Sequence, residues 1–185
     1  MSEDFGILKK DNTALLVVDV QQGFRKAIAD FESMVSGAKK LVEGFNVLGL
    51  PVMVTEQYPR GLGETVSELK DVLGGVKPFE KTCFNCFDEQ IFEEAMRGVE
   101  EKNLVIAGIE AHVCVLSTVL SAMKRGYTVH VAVDAVSSRG GLDKKTAVER
   151  MKQSGAYVTT SEAVLFQLLG DARDPDFKKI QGLVR

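Results

Sequence analysis

The stretch LVIAGIEAHVCVLSTVLSAMKRGYTVHVAV, Leu104 to Val133, decides the fold. It opens on an apolar run, Leu104 to Ala107, of the kind carried by a strand buried on both faces. Residues at helical spacing follow from Cys114 to Lys124, closed by Gly126, and a second apolar run extends from Tyr127 to Val133. Strand, helix and strand in so short a length make a βαβ unit with parallel strands. The turn between the first strand and the helix is unusual. A chain that only had to turn would use Asn, Asp, Ser or Gly, whereas this one places Glu110, His112 and Cys114 there.

The alternation extends in both directions. Thr13 to Val20 is a near-continuous apolar run, and Phe31 to Leu48 carries apolar residues at 31, 34, 35, 38, 41, 42, 45 and 48, one helical face ended by Gly49 and Pro51. Pro51 to Thr55 reads as a second strand, and after a long irregular stretch a helix spans about Asp88 to Glu101. Beyond Val133 come a helix over Asp143–Ser154, a strand over Ala156–Thr159 and a helix over Ser161–Leu169. The pattern predicts a single domain over residues 1–185, a three-layer α/β/α architecture with a mainly parallel, Rossmann-like sheet of about six strands.

Composition narrows the function classes. A chain of 185 residues can bury a sizeable core, and its net charge of −3 comes with dispersed Lys and Arg residues. Neither nucleic acid nor an anionic membrane is expected as a partner. No run approaches the roughly 20 apolar residues of a membrane span, and the N-terminal MSEDFGILKK has no apolar signal core, so a cytoplasmic location is expected. Three cysteines in a chain this long do not suggest a secreted disulfide framework. There is no G-x-S-x-G elbow, P-loop or H-E-x-x-H, and no third glycine completes a dinucleotide fingerprint at Gly61-Leu-Gly63. Of the two histidines, His130 lies inside a predicted strand as a packed or edge residue, which leaves a serine-hydrolase triad only His112 and no elbow.

Open parallel sheets bind ligands beyond the carboxyl ends of their strands. Three groups with chemical potential lie there: Asp19, Thr55-Glu56-Gln57, and the turn from Glu110 to Cys114. Cys114 at the start of a helix has free backbone N–H groups and the positive dipole end beside it, which favour a nucleophilic thiolate. The alternative is a core cysteine. Asp19 interrupts an apolar strand, where a bare carboxylate is costly. It is either a cap or a proton carrier. Lys81, in Lys77-Pro-Phe-Glu-Lys-Thr-Cys83, is not distinguished from a solvated lysine by its surroundings in the chain.

Three blocks taken together resemble the isochorismatase-like cysteine hydrolase superfamily, which includes nicotinamidases and N-carbamoylsarcosine amidase. They are Leu16-Val-Val-Asp19-Val-Gln-Gln-Gly-Phe24, the Lys81 segment, and Ala107-Gly-Ile-Glu-Ala-His-Val-Cys114-Val, spread over about Asn12 to Phe166. The resemblance implies an Asp19–Lys81–Cys114 triad, a non-proline cis peptide at Ile109-Glu110, and an oxyanion hole from the backbone N–H groups of Glu110 and Cys114. It implies hydrolysis of a C–N bond, amide or carbamoyl, in a small molecule through a thioester, with no cofactor. It also implies a homo-oligomer; the apolar segment from Phe84 to Phe92 is a candidate contributor to that interface or, equally, part of the core. Glu110 matters here for its N–H, and His112 becomes a packing residue.

The chain departs from better-known members. Nicotinamidases carry an Asp-x-His and further histidines after the second strand, whereas Thr55-Glu-Gln-Tyr-Pro-Arg-Gly-Leu-Gly63 has none, so no metal site of that type is expected. Isochorismatases proper lack the cysteine. The block instead resembles isochorismatase-domain proteins of unassigned substrate. Phe24, Gln57, Tyr58, Phe84 and Phe87 are candidates for the substrate pocket. Two other readings compete: a non-catalytic protein on this fold, and a redox pair or zinc site built on Cys83-Phe-Asn-Cys86 with Cys114 and His112.

Overall fold

A computed structural model describes residues 5–185. Residues 1–4, the start of the N-terminal stretch read for a signal core, lie outside the described residues. In chain order the elements are β1 (Thr13–Val18), α1 (Phe31–Leu48), β2 (Val52–Gln57), two short helices α2 (Pro59–Leu62) and α3 (Ser67–Lys70), β3 (Phe79–Lys81) and α4 (Gln90–Arg97). Then follow β4 (Asn103–Ile109), α5 (Leu116–Lys124), β5 (Thr128–Ser137), α6 (Gly141–Gln153), β6 (Tyr157–Thr159), α7 (Ser161–Leu169) and α8 (Phe177–Val184).

The six strands form one sheet in the order β3-β2-β1-β4-β5-β6, and every pairing is parallel. Side chains alternate across it. Leu15 and Val17 of β1, with Val105, Ala107 and Ile109 of β4, pack under α1, α7 and α8. Ala14, Leu16 and Val18, with Leu104 and Ile106, pack against α4, α5 and α6. Both faces of the central strands are covered, which is why they read as continuous apolar runs. The strand order reverses direction between β1 and β4, and a doubly wound sheet opens its ligand crevice beyond such a point.

Several element boundaries differ from the sequence reading for local reasons. β1 stops at Val18 rather than Val20 because Asp19 leaves the extended region, with φ +53°. The helix expected over Asp88–Glu101 is shorter, Gln90–Arg97. β5 runs on to Ser137 with a register shift against β4 between Ile106 and Gly108. Four elements were not anticipated: the short helices α2 and α3 within the stretch read as irregular, β3, only three residues long, and the terminal helix α8.

Two glycines set how closely layers approach. A Cβ on Gly37 of α1 would come within 2.5 Å of the Asp134 carbonyl oxygen in β5. Gly108 of β4 pairs with Val18 at φ +123°, and a Cβ there would lie 2.0 Å from the Val18 carbonyl oxygen. The first restriction sets how closely α1 lies on β5, and the second applies where β4 meets the end of β1. Gly108→Ala is therefore expected to destabilise the chain by about 3 kcal/mol or more. Urea unfolding checks this, and a loss below about 1 kcal/mol would show that the backbone relaxes freely there.

Candidate active site

The ends of β1, β2, β3 and β4 bring Asp19, Thr55, Gln57, Lys81 and Cys114 together. Asp19 is fully buried directly after β1. Its backbone is held from two sides: its N–H donates to the Thr55 carbonyl at 3.1 Å, and its own carbonyl accepts from the Gln21 N–H at 2.8 Å. The carboxylate has two strong partners. Thr55 Oγ1 donates to Oδ1 at 2.7 Å, and Lys81 Nζ donates to Oδ2 at 2.6 Å. A carboxylate removed from water in this way needs both the counter-charge and the filled lone pairs.

Lys81 reaches the site from the edge strand. Beyond Asp19, its ammonium donates to Gln57 Oε1 at 2.8 Å and to the Cys83 carbonyl at 3.3 Å. An ammonium has three N–H donors, so all are committed within the protein. Burial by itself would lower the Lys81 pKa. The charge of Asp19 and the hydrogen bond to it outweigh burial and raise it. Lys81 is thus a permanently charged, fully engaged cation.

Cys114 sits in a π-helical turn, Ala111–Val115, that precedes α5. The Glu110 carbonyl accepts from the N–H groups of both Val113 and Val115, at 3.0 and 3.2 Å, and this widens the turn around the cysteine. The side chain is only 6 % exposed. The Asp19 carboxylate is close enough to act on its thiol. The sequence expectation of a dipole-stabilised thiolate requires correction. Burial first, then the Asp19 charge, push the thiol well above its ordinary value, and Lys81 only partly opposes them. The resting side chain is held as a protonated thiol beside a carboxylate.

The neighbouring turn residues have separate tasks. The Ile109-Glu110 peptide is cis. The Glu110 carboxylate turns away and accepts from the Arg139 backbone N–H at 3.0 Å and from its Nε at 2.9 Å, tying this turn to the segment after β5. His112 Nδ1 lies 3.0 Å from Ser138 Oγ, a contact within the same junction. His130 is buried in β5 and stacks on Tyr157 with ring centroids 5.1 Å apart.

The other cysteines divide. Cys83 is half-buried and offers its carbonyl to Lys81. Cys86 is fully buried, with Sγ 3.7 Å from Thr55 Oγ1 and its N–H donating to Thr118 Oγ1 at 3.1 Å. Burial pushes its thiol up to about 11. All three are free thiols, and among the described residues no three His, Cys, Asp or Glu side chains gather in a metal-ligating group.

The five pocket candidates do not form one wall. Gln57 belongs to the Asp19–Lys81 hydrogen-bond network itself. Phe24 packs against the α1 side of the core. Phe87 is committed to the other core layer, edge-on to Phe92 at 5.3 Å and with the Arg125 guanidinium 4.7 Å above its ring. Tyr58 and Phe84 are more than half exposed, and Tyr58 lines a surface cavity with Arg60, Glu80, Lys81 and Thr82. Sequence reasoning did not single out Gln21, whose buried carboxamide pins β2 and the α2 turn. Its signal was an uncharged polar residue directly after the Asp19-Val20 pair. Thr55 was flagged only by its place at a strand end.

Lys81→Met leaves Asp19 as a buried charge without its counter-ion, at an expected cost of about 3–5 kcal/mol. The double variant Asp19→Asn/Lys81→Met removes both charges and is expected to regain most of that loss. Chemical denaturation of the three proteins checks it; additive losses would mean that the pair is not energetically coupled.

Comparison with known proteins points the same way. Residues 13–163 match the Isochorismatase domain. Isochorismatase domain-containing protein 2 of Homo sapiens is 43 % identical over 174 residues, 94 % of this chain and 83 % of its own. The MAR1 ribonuclease structure from Caenorhabditis elegans superposes with a TM-score of 0.91 at 40 % identity, covering 96 % of this chain and 91 % of that one. YcaC from Pseudomonas aeruginosa, solved with hexane-2,5-diol and covalent acrylamide, gives a TM-score of 0.90 at 28 % identity over 99 % and 93 % of the two chains. With domain, architecture and relatives in agreement, the chain belongs to the isochorismatase domain family.

Proposed function

We propose that this protein is a cysteine-dependent hydrolase that cleaves an amide or carbamoyl C–N bond of a small molecule. The observation that carries the reading is one buried carboxylate between a lysine and a cysteine: Asp19 accepts from Lys81 Nζ at 2.6 Å, and its charge acts on the neighbouring Cys114 thiol. A thiol held protonated against a carboxylate is poised to lose its proton only as it attacks. Acrylamide, described as covalent in Pseudomonas aeruginosa YcaC, is a soft electrophile of the class that thiolates add to, which supports a sulfur nucleophile on this fold.

In the mechanism, Asp19 takes the thiol proton as Cys114 Sγ bonds to the substrate carbonyl carbon, and the carbonyl π pair moves onto oxygen. We assign the backbone N–H groups of Glu110 and Cys114, which flank the turn, to that oxyanion. Asp19 returns the proton to nitrogen, the C–N bond breaks, and the amine departs to leave a thioester. Water, losing a proton to Asp19, then attacks the thioester carbon. The acid leaves, and the proton goes back to Cys114. Lys81 moves no proton, because its donors are all engaged; it supplies positive charge beside the carboxylate and the developing thiolate.

The ribonuclease name of the Caenorhabditis elegans neighbour supplies a second reading. Two features favour the first. A nucleophile 6 % exposed suits a small substrate better than a polymer, and the chain has a net charge of −3 without a basic cluster.

Ammonia release from a panel of small primary amides and N-carbamoyl compounds tests the proposal. At least one substrate is expected to turn over, and Cys114→Ala is expected to lose about a thousandfold or more in kcat while retaining its circular dichroism. Undiminished turnover in Cys114→Ala would refute the nucleophile, and RNA cleavage with no amide turnover would favour the second reading.

A homo-oligomer belongs to the same proposal. Phe84, on the segment between β3 and α4, and Ile91, in the first turn of α4, are 59 % and 67 % exposed, apolar surface that a second copy would cover. Light scattering coupled to gel filtration is expected to give a multiple of the chain mass, and Phe84→Asp/Ile91→Asp to reduce it. A monomeric wild type would remove this part of the reading.

A further inference from the structure

Gln57 was a candidate for touching substrate, yet both ends of its side-chain amide are engaged by the protein. Oε1 accepts from Lys81 Nζ at 2.8 Å and Nε2 donates to the Thr82 carbonyl at 2.7 Å. The two contacts demand opposite ends of the amide and so fix its orientation. The backbone of Gln57 is clasped as well. Gln21 Oε1 accepts from the Gln57 N–H at 2.8 Å, and Gln21 Nε2 donates to the Gln57 carbonyl at 3.0 Å and to the Gly63 carbonyl at 2.6 Å. Gln57 and Lys81 are also register partners across β2 and β3. A fully buried amide therefore holds a second amide, which holds the ammonium, which holds Asp19.

The chemical type at position 57 matters as much as its place. A carboxylate would satisfy the same Lys81 N–H, but it would pair with the ammonium and cancel the field that Asp19 and Cys114 feel. An apolar side chain would leave a buried N–H donor unfilled. Only a neutral acceptor engages the donor and leaves the charge intact. The ionisable groups around the ammonium are Asp19 from the end of β1, Cys83 and Cys86 from the turn after β3, and Cys114 from the π turn. Glu56, the adjacent carboxylate, is directed elsewhere, accepting from the Thr65 N–H and Oγ1 at 2.6 and 2.7 Å.

We propose that Gln57 is a positioning residue of the triad, a neutral acceptor that fixes Lys81 beside Asp19 without cancelling its charge and thereby sets the pH range in which Cys114 reacts. This rests on the reading of Cys114 as the nucleophile.

The test is the rate at which iodoacetamide alkylates Cys114 between pH 6 and 9. Trypsin releases Cys114 in the peptide 103–124 and Cys83 with Cys86 in 82–97, so mass spectrometry follows the thiols separately. In Gln57→Glu the rate is expected to fall about tenfold at each pH, equivalent to a displacement of the profile by about one unit to higher pH. Its melting temperature is expected to fall only modestly, because the new ion pair fills the Lys81 donor while the bond to the Thr82 carbonyl is lost. Gln57→Met is expected to lower the melting temperature. If it does not fold, Gln57→Asn, which keeps the amide but withdraws it by one methylene, is expected to slow alkylation as well. A Gln57→Glu profile that overlies the wild type overturns the inference while leaving the nucleophile in place. A wild-type Cys114 that reacts no faster than Cys86 overturns both.

Discussion

The buried pair of Asp19 and Lys81 is the constraint around which the site is arranged. Two charges removed from water impose conditions on everything near them. The carboxylate requires Thr55 for its second oxygen, and the ammonium requires Gln57 and the Cys83 carbonyl for its remaining protons. Those acceptors in turn have to be held at fixed distance, which accounts for the buried Gln21 and for the register of β2 against β3. A pair of this kind contributes little net stability compared with an apolar replacement, and its retention points to what it does for the thiol.

The thiol is the second consequence. A helix N-terminus beside an isolated cysteine lowers its pKa, and the sequence supports that expectation. In the folded chain, burial and an adjacent anion act in the opposite direction and prevail over Lys81. The site therefore stores a proton between sulfur and carboxylate rather than a ready anion. Such an arrangement protects a buried thiol from adventitious oxidation, which follows thiolate character and exposure. Reactivity then depends on an acceptor placed within reach rather than on ionisation at rest.

Much of this was legible in the chain. Central strands covered on both faces leave long apolar runs, so β1, β2, β4 and β5 and the helices between them could be read directly, and Asp19 and Cys114 stood out by interrupting that pattern. The edge of the sheet was not legible: β3 has three residues, too few for a periodicity, and α8 follows a polar turn without a strong start signal. Lys81 was a matter of resemblance, because its partner lies 62 positions away and nothing local marks it. The amide clasp of Gln21 and Gln57 was hidden for a related reason. Glutamines carry no charge pattern, and only the register of two strands reveals that they meet.

The edge strand has a consequence for how activity depends on stability. Asp19 and Cys114 sit beside the central strands β1 and β4, whose exchange with solvent requires opening of the whole sheet. Lys81 is carried by β3, paired on one side only. Fraying of an edge needs far less free energy than global unfolding, and here it withdraws the counter-ion while the rest of the molecule stays intact. The integrity of the site is then governed by a subglobal opening, and a chain that remains folded by every global measure spends part of its time without Lys81 beside Asp19.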